Sequence, residues 1–276
     1  MNNTKIPRVY FDSNVYIDIF EGRRPALKEY LINQAEKKQT IFPFSAALVL
    51  EITDYPKTDR CNERLDFLSV ISNDVYYVHS VWDHEFRPES PHTTYDTNRS
   101  ACPRLNLAKL FSRLLPNLAA KYTRSKLGLG PNVLNNMTPT EAISAIDAAL
   151  LAAAERSNTE YRSLSVQIEK SREFAIETHG NQWKSMSTTP EHMLYNQELE
   201  QAFILLDFYG YWSDSKRVYA KGSRYADTEH LSAARQCHYL ITRDKGMRKR
   251  AKAVYELAKL NTEVMSTEAY EAQVLK

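Results

Sequence analysis

At 276 residues, with 43% apolar and 25% charged content, the chain has the composition of an ordinary globular protein, long enough for one large domain or two small ones. The three cysteines, Cys61, Cys102 and Cys237, form no CxxC pair; this excludes a zinc ribbon and a disulfide framework and sets the expectation of a reducing, cytoplasmic setting. No apolar run approaches the roughly 18 residues that span a bilayer, and the first residues do not resemble a signal peptide, so no membrane association is expected.

Seven glycines is low usage, and with abundant Ala, Leu, Glu and Lys the balance favours helix over strand. In chain order, Arg8 to Phe11 reads as a β-prone run ending at Asp12, and Asn14 to Phe20 as a short helix. A helix is expected over Pro25 to Lys38 and a short strand over Thr40 to Phe44. Ser45 then caps an apolar helix from Ala46 to Asp54 that carries Glu51. A further helix, Asn62 to Ser72, and a strand, Asp74 to Val78, complete a βαβαβ pattern.

From about Ser80 to Gln197 the character changes. Pro and Ser/Thr/Asn clusters separate helical pieces near Leu105 to Leu114, Thr140 to Arg156 and Tyr161 to Ile176, a helical insertion. Helical periodicity resumes over Glu198 to Tyr211, and a helix opening at Asp227 is expected to end near Cys237. Tyr239 to Thr242 reads as a buried strand running into Asp244, Lys245 to Lys259 as a basic helix, and Glu263 to Met265 as a last strand before a C-terminal helix. Alternating strands and helices favour a parallel sheet with helices on both faces, and ligands in such sheets sit at the carboxyl ends of strands, where Asp12 and Asp244 fall.

Four separated segments, read in order, resemble the PIN-domain nucleases. The first runs Val9, Tyr10, Phe11, Asp12, Ser13, Asn14: a hydrophobic strand, an Asp, a small hydroxyl residue and Asn. The second is the serine-led helix from Ser45 to Ile52, with Glu51. The third runs from Tyr225 through Asp227 and His230 to Ala234, and the fourth from Tyr239 through Thr242 to Asp244. The resemblance covers residues 1–80 and 198–276, with 81–197 as the insertion, and implies a three-layer α/β/α fold around a central parallel sheet plus that mainly helical region. It also implies Asp12, Glu51, Asp227 and Asp244 as catalytic carboxylates holding Mg²⁺ or Mn²⁺, since hard divalent cations prefer several carboxylate oxygens. Asn14 and Thr242 would hold those carboxylates by hydrogen bonding. Asp54, one turn beyond Glu51, stays open as the alternative fourth acid.

The expected activity is hydrolysis of RNA phosphodiester bonds, in a toxin or defence effector. DNA is a second substrate class to test, and an inhibitory protein partner and homo-oligomerisation are open. The alternative is a catalytically silent scaffold that keeps the fold and binds nucleic acid or protein. The net charge of +2 does not argue for a polyanion partner, but its distribution does. No acid lies between Asp96 and Glu141, where Arg99, Arg104, Lys109, Arg113, Lys121, Arg124 and Lys126 fall, with Tyr122 and, further on, Trp183 available to stack on bases. Lys245, Arg248, Lys249, Arg250 and Lys252 follow Asp244 and read either as phosphate contacts or as a solvated helix face. His230 reads either as a substrate contact or as a hydrogen-bonded core residue. The group His79, Asp83, His84 and Glu85 matches no zinc spacing and reads as a polar turn.

Overall fold

The computed structural model describes residues 6–54, 60–78, 86–99, 118–170, 173, 190–213 and 223–276. The chain is α/β and forms two compact units, one of Met1–Cys102, Glu229–Arg248 and Asn261–Lys276, the other of Pro103–Thr228 and Lys249–Leu260.

In the first unit, β1 (Val9–Phe11) leads directly into α1 (Ser13–Phe20), because Asp12 between them has extended backbone and its side chain accepts from the Val15 amide. Next come α2 (Pro25–Glu36), with Pro at its start, and β2 (Phe44–Ser45). Ser45 caps α3 (Ala46–Thr53) by accepting from the Leu48 amide. The strand expected over Thr40 to Phe44 is interrupted: Ile41 makes only an isolated bridge to Arg8. Pro43 has no N–H to give the ladder, and regular pairing starts beyond it. Helix α4 (Cys61–Ser72) ends at Asn73 in the left-handed region, φ 50°, and leads to β3 (Val75–Tyr77).

Two elements in the stretch read as helical insertion were not anticipated in this form. β4 (Phe86–Pro88) pairs antiparallel with β3, and α5 (Pro91–Arg99) follows it. Phe-Arg-Pro has neither alternation nor an unbroken set of donors, so nothing local marks it as a strand. The sheet containing β2 and β3 is therefore mixed rather than parallel throughout. The other sheet is parallel, with β1 beside β5 (Tyr239–Ile241) and β5 beside β6 (Glu263–Met265), in the register Val9, Tyr239, Glu263. Its inner face carries Val9, Phe11 and Ile241 into a core with Val15, Ile19, Leu27, Leu48, Ile52, Leu65 and Tyr270. Tyr270 belongs to the C-terminal helix Thr267–Val274, capped by Ser266.

In the second unit, helices cover 118–127, Pro131–Leu134, Pro139–Ser157, 164–170 and Pro190–Tyr209. A capping box joins Thr138 and Glu141 at the start of the third of these. Pro190–Tyr209 ends at Gly210, φ 103°, where a Cβ would also come within 3.3 Å of Arg124 Nε. The basic helix Lys245–Leu257 contributes residues to both units. The helix carrying Asp227 runs Ser223–Ala234, so Asp227 lies one turn inside it rather than opening it. The piece expected at Leu105 to Leu114, the group His79, Asp83, His84 and Glu85, and Trp183 lie outside the described residues. Among the described residues no helix is long and apolar enough to cross a membrane.

Candidate functional site

Adjacent parallel strands determine the layout. The Asp12 amide donates to the Ile241 carbonyl at 3.0 Å, one step past the β1–β5 register, and the Thr242 amide donates to Met265 at 3.1 Å. Asp12 and Thr242 therefore leave neighbouring strands side by side. Thr242 is fully buried, and its hydroxyl donates to Asp12 Oδ2 while accepting from the Asp244 amide at 3.1 Å. One hydroxyl thus links the two acids that follow the strands.

Both acids are also helix caps. Asp12 Oδ1 accepts from the Val15 amide at 3.0 Å, and Asp244 Oδ1 accepts from the Met247 amide at 2.7 Å at the start of the basic helix. Each positive helix end favours the ionised acid beside it. Asp12 is 5% exposed and Asp244 is exposed. Burial pushes the Asp12 carboxyl above its ordinary value. The Thr242 and Val15 hydrogen bonds and the charge of His230 pull it down, while the charge of Glu51 adds to the rise.

Glu51 reaches the same neighbourhood from α3. Its Oε2 lies 3.0 Å from His230 Nε2, and Ser13, beside Asp12, also hydrogen-bonds it. Burial raises the Glu51 carboxyl, but His230, by hydrogen bond and charge, and the Ser13 hydroxyl outweigh that and leave it below its ordinary value. Asp54 is the exposed C-cap of α3, so of the two alternatives only Glu51 is engaged here. Asn14 is exposed and, among the described residues, no hydrogen bond ties it to Asp12.

His230 is 3% exposed, with Nδ1 2.7 Å from the Tyr10 hydroxyl, which is itself 2.7 Å from Ser45 Oγ. Both ring nitrogens are engaged in the interior, so of its two readings the core hydrogen-bonding one describes its surroundings. Glu229, next to it, accepts from the Ala47 amide at 2.8 Å in the first turn of α3.

Asp227 belongs to the second unit, with its side chain 25% exposed and Arg250 Nη2 4.0 Å away. Arg250 is 1% exposed, 3.4 Å from the fully buried Asp207, and stacks over Phe203 at 4.3 Å. The basic run after Asp244 is therefore not one solvated face. Arg248 Nη1 donates to the carbonyls of Thr242 and Arg243 at 2.9 and 2.8 Å, bracing the turn that presents Asp244, while Lys245 is exposed. In the acid-free segment, Arg124 donates to the carbonyls of Asp207 and Phe208, and Tyr122 is exposed beside Lys126.

No family model, curated protein or solved structure matches the chain. Among the described residues no three His, Cys, Asp or Glu side chains are grouped so as to hold a metal. The donors themselves are of the right chemistry: Asp12, Glu51 and Asp244 offer carboxylate oxygens, which hard cations prefer.

Sequence reasoning missed Tyr10, Ser13, Ser45 and Glu229 as members of this network, and Asp18. Tyr10 could have been found from strand period, since it shares Asp12's face. Asp18, buried on α1, takes Arg23 on one oxygen and Arg243 Nη1, at 2.6 Å, on the other, tying the Thr242–Asp244 turn to α1. An acid in an apolar helix signals such a partner but not which one.

Proposed function

We propose that the chain is a metal-dependent endoribonuclease of the PIN-like kind, with a three-layer α/β/α core around the β1-β5-β6 sheet and the helical middle as an insertion that selects the RNA. The observation that carries this is the placement of Asp12 and Asp244 just past adjacent parallel strands, linked through Thr242, with Glu51 within electrostatic reach of Asp12. Asp12, Glu51 and Asp244 would hold Mg²⁺ or Mn²⁺, and Asp227 joins the set on the resemblance alone. A bound ion would supply the positive charge that a scissile phosphate and an attacking water require. The chain's own part is to keep Asp12 oriented through Thr242, Glu51 through His230 and Ser13, and Asp244 through the Met247 amide. Lys245 is the exposed cation best suited to meet backbone phosphate. A cytoplasmic toxin or defence effector, restrained by a protein partner or by self-association, is the setting this activity suggests.

The test is cleavage of a structured RNA in Mn²⁺ by the wild-type chain, by Asp12→Asn and by Asp12→Asn/Asp244→Asn. Cleavage in the wild type, lost in the single variant, supports the reading; cleavage that survives the double variant ends it. One observation favours a silent scaffold instead: both Asp12 oxygens and Glu51 Oε2 already have protein donors. Mn²⁺ titration separates the two, since a scaffold gains little thermal stability from the ion, whereas an ion at 100 times its Kd stabilises by about 2.7 kcal/mol.

A further inference from the structure

The hydrogen-bonded series Ser45, Tyr10, His230, Glu51 spans four elements, three of its members buried, and ends on the partly exposed Glu51 carboxylate. Its proton positions follow from elementary constraints. Burial pushes the Tyr10 phenol well above its ordinary value, so it stays a neutral hydroxyl with one proton to donate. Ser45 Oγ accepts the Leu48 amide at 3.3 Å. If the imidazole is neutral with its proton on Nε2, Ser45 donates to Tyr10, Tyr10 donates to Nδ1, and Nε2–H donates to Glu51. If the imidazole is protonated, Nδ1–H donates to Tyr10, Tyr10 donates to Ser45, and Nε2–H again donates to Glu51. The remaining form, neutral with the proton on Nδ1, sets a bare Nε2 lone pair 3.0 Å from a carboxylate oxygen. That contact is repulsive with Glu51 ionised.

We infer that His230 is a positioning residue that holds the Glu51 carboxylate toward Asp12 by donating from Nε2, with Tyr10 and Ser45 in turn fixing the ring. At 3% exposure the imidazole is shielded from a polymeric substrate. Ser13 binds Glu51 as well, so the carboxylate is held by His230 and by the residue adjacent to Asp12. Arrangements of this kind, a buried donor orienting a carboxylate at an active centre, commonly change activity about 10- to 100-fold when removed. The inference depends on the nuclease reading for what Glu51 does, but not for how His230 holds it.

The experiment records long-range ¹H–¹⁵N spectra of the full chain with labelled histidine, identifying His230 by the signal absent from His230→Gln. The expected pattern has Nε2 protonated, its proton signal moving when Glu51→Gln weakens the acceptor, and Nδ1 responding to Tyr10→Phe. A neutral ring protonated at Nδ1, or an Nε2–H signal unmoved by Glu51→Gln, overturns the inference whether or not RNA is cut. In the cleavage assay, His230→Gln, which keeps an N–H donor toward Glu51, is expected to retain more kcat than His230→Ala, which falls about 10- to 100-fold with KM little changed. Equal losses in the two variants, or a loss confined to KM, overturn it as well. A wild-type chain that cuts no RNA defeats the nuclease reading while the spectra still decide the role of His230.

Discussion

Replacing Thr242 with Val removes one hydroxyl and keeps nearly the same volume, so its effect isolates the link between the two strand-end acids. The Thr242 hydroxyl donates to buried Asp12 and accepts from the Asp244 amide at 3.1 Å. A hydrogen bond to a charged partner contributes about 1.5–3 kcal/mol and an amide bond about 0.5–1.5 kcal/mol. A loss of about 2–4 kcal/mol is expected in urea unfolding at neutral pH, with Tm falling by roughly 2–4 °C per kcal/mol at this chain length. The loss should depend on pH. The Asp12 carboxyl stands above its ordinary 3.8 because of burial, so its contribution is intact below that value and is lost as pH rises through the raised folded one. Removing the Thr242 donor raises it further, and the defect of Thr242→Val should shrink in acid. In an Asp12→Asn background the same substitution should cost less, by about 1–2 kcal/mol of coupling. A loss below about 0.5 kcal/mol, or one equal in both backgrounds, would show that the Thr242 hydroxyl does not couple to Asp12.

Glu51 has the opposite sign. Its carboxyl lies below the ordinary 4.5, so its contribution is present above that value and is lost as pH falls through the folded one. Glu51→Gln should therefore flatten the acid limb of the stability-against-pH curve, measured by thermal unfolding; an unchanged limb would count against the His230 contact. In the second unit, Arg250→Met leaves the fully buried Asp207 without the guanidinium at 3.4 Å, and a loss of about 3–5 kcal/mol is expected by chemical unfolding. Asp207→Asn/Arg250→Met together should recover much of it.

Some of this was legible in the sequence and some was not. β1 and the start of α1 were, because an apolar run ending in Asp carries both the strand and the cap. β6 was found at its observed bounds, Glu263–Met265. Asp227 reads as a helix start because Asp is favoured at caps, whereas the helix begins at Ser223 and the cation near Asp227, Arg250, lies 23 residues away in sequence. Arg250 could have been separated from the solvated face: Met247, Arg250, Ala251 and Val254 recur at helical spacing and all are buried. The sequence leaves His230 open between substrate contact and core hydrogen bonding because its partners, Tyr10 and Glu51, lie far from it in the chain. Only tertiary packing decides such a choice.

The most direct test of the central claim is an anomalous difference map from crystals soaked in Mn²⁺. A manganese peak is expected on the order of 2 Å from carboxylate oxygens of Asp12 and Asp244. A well-occupied peak elsewhere, with Asp12 still bonded only to Thr242 and Val15, would contradict it.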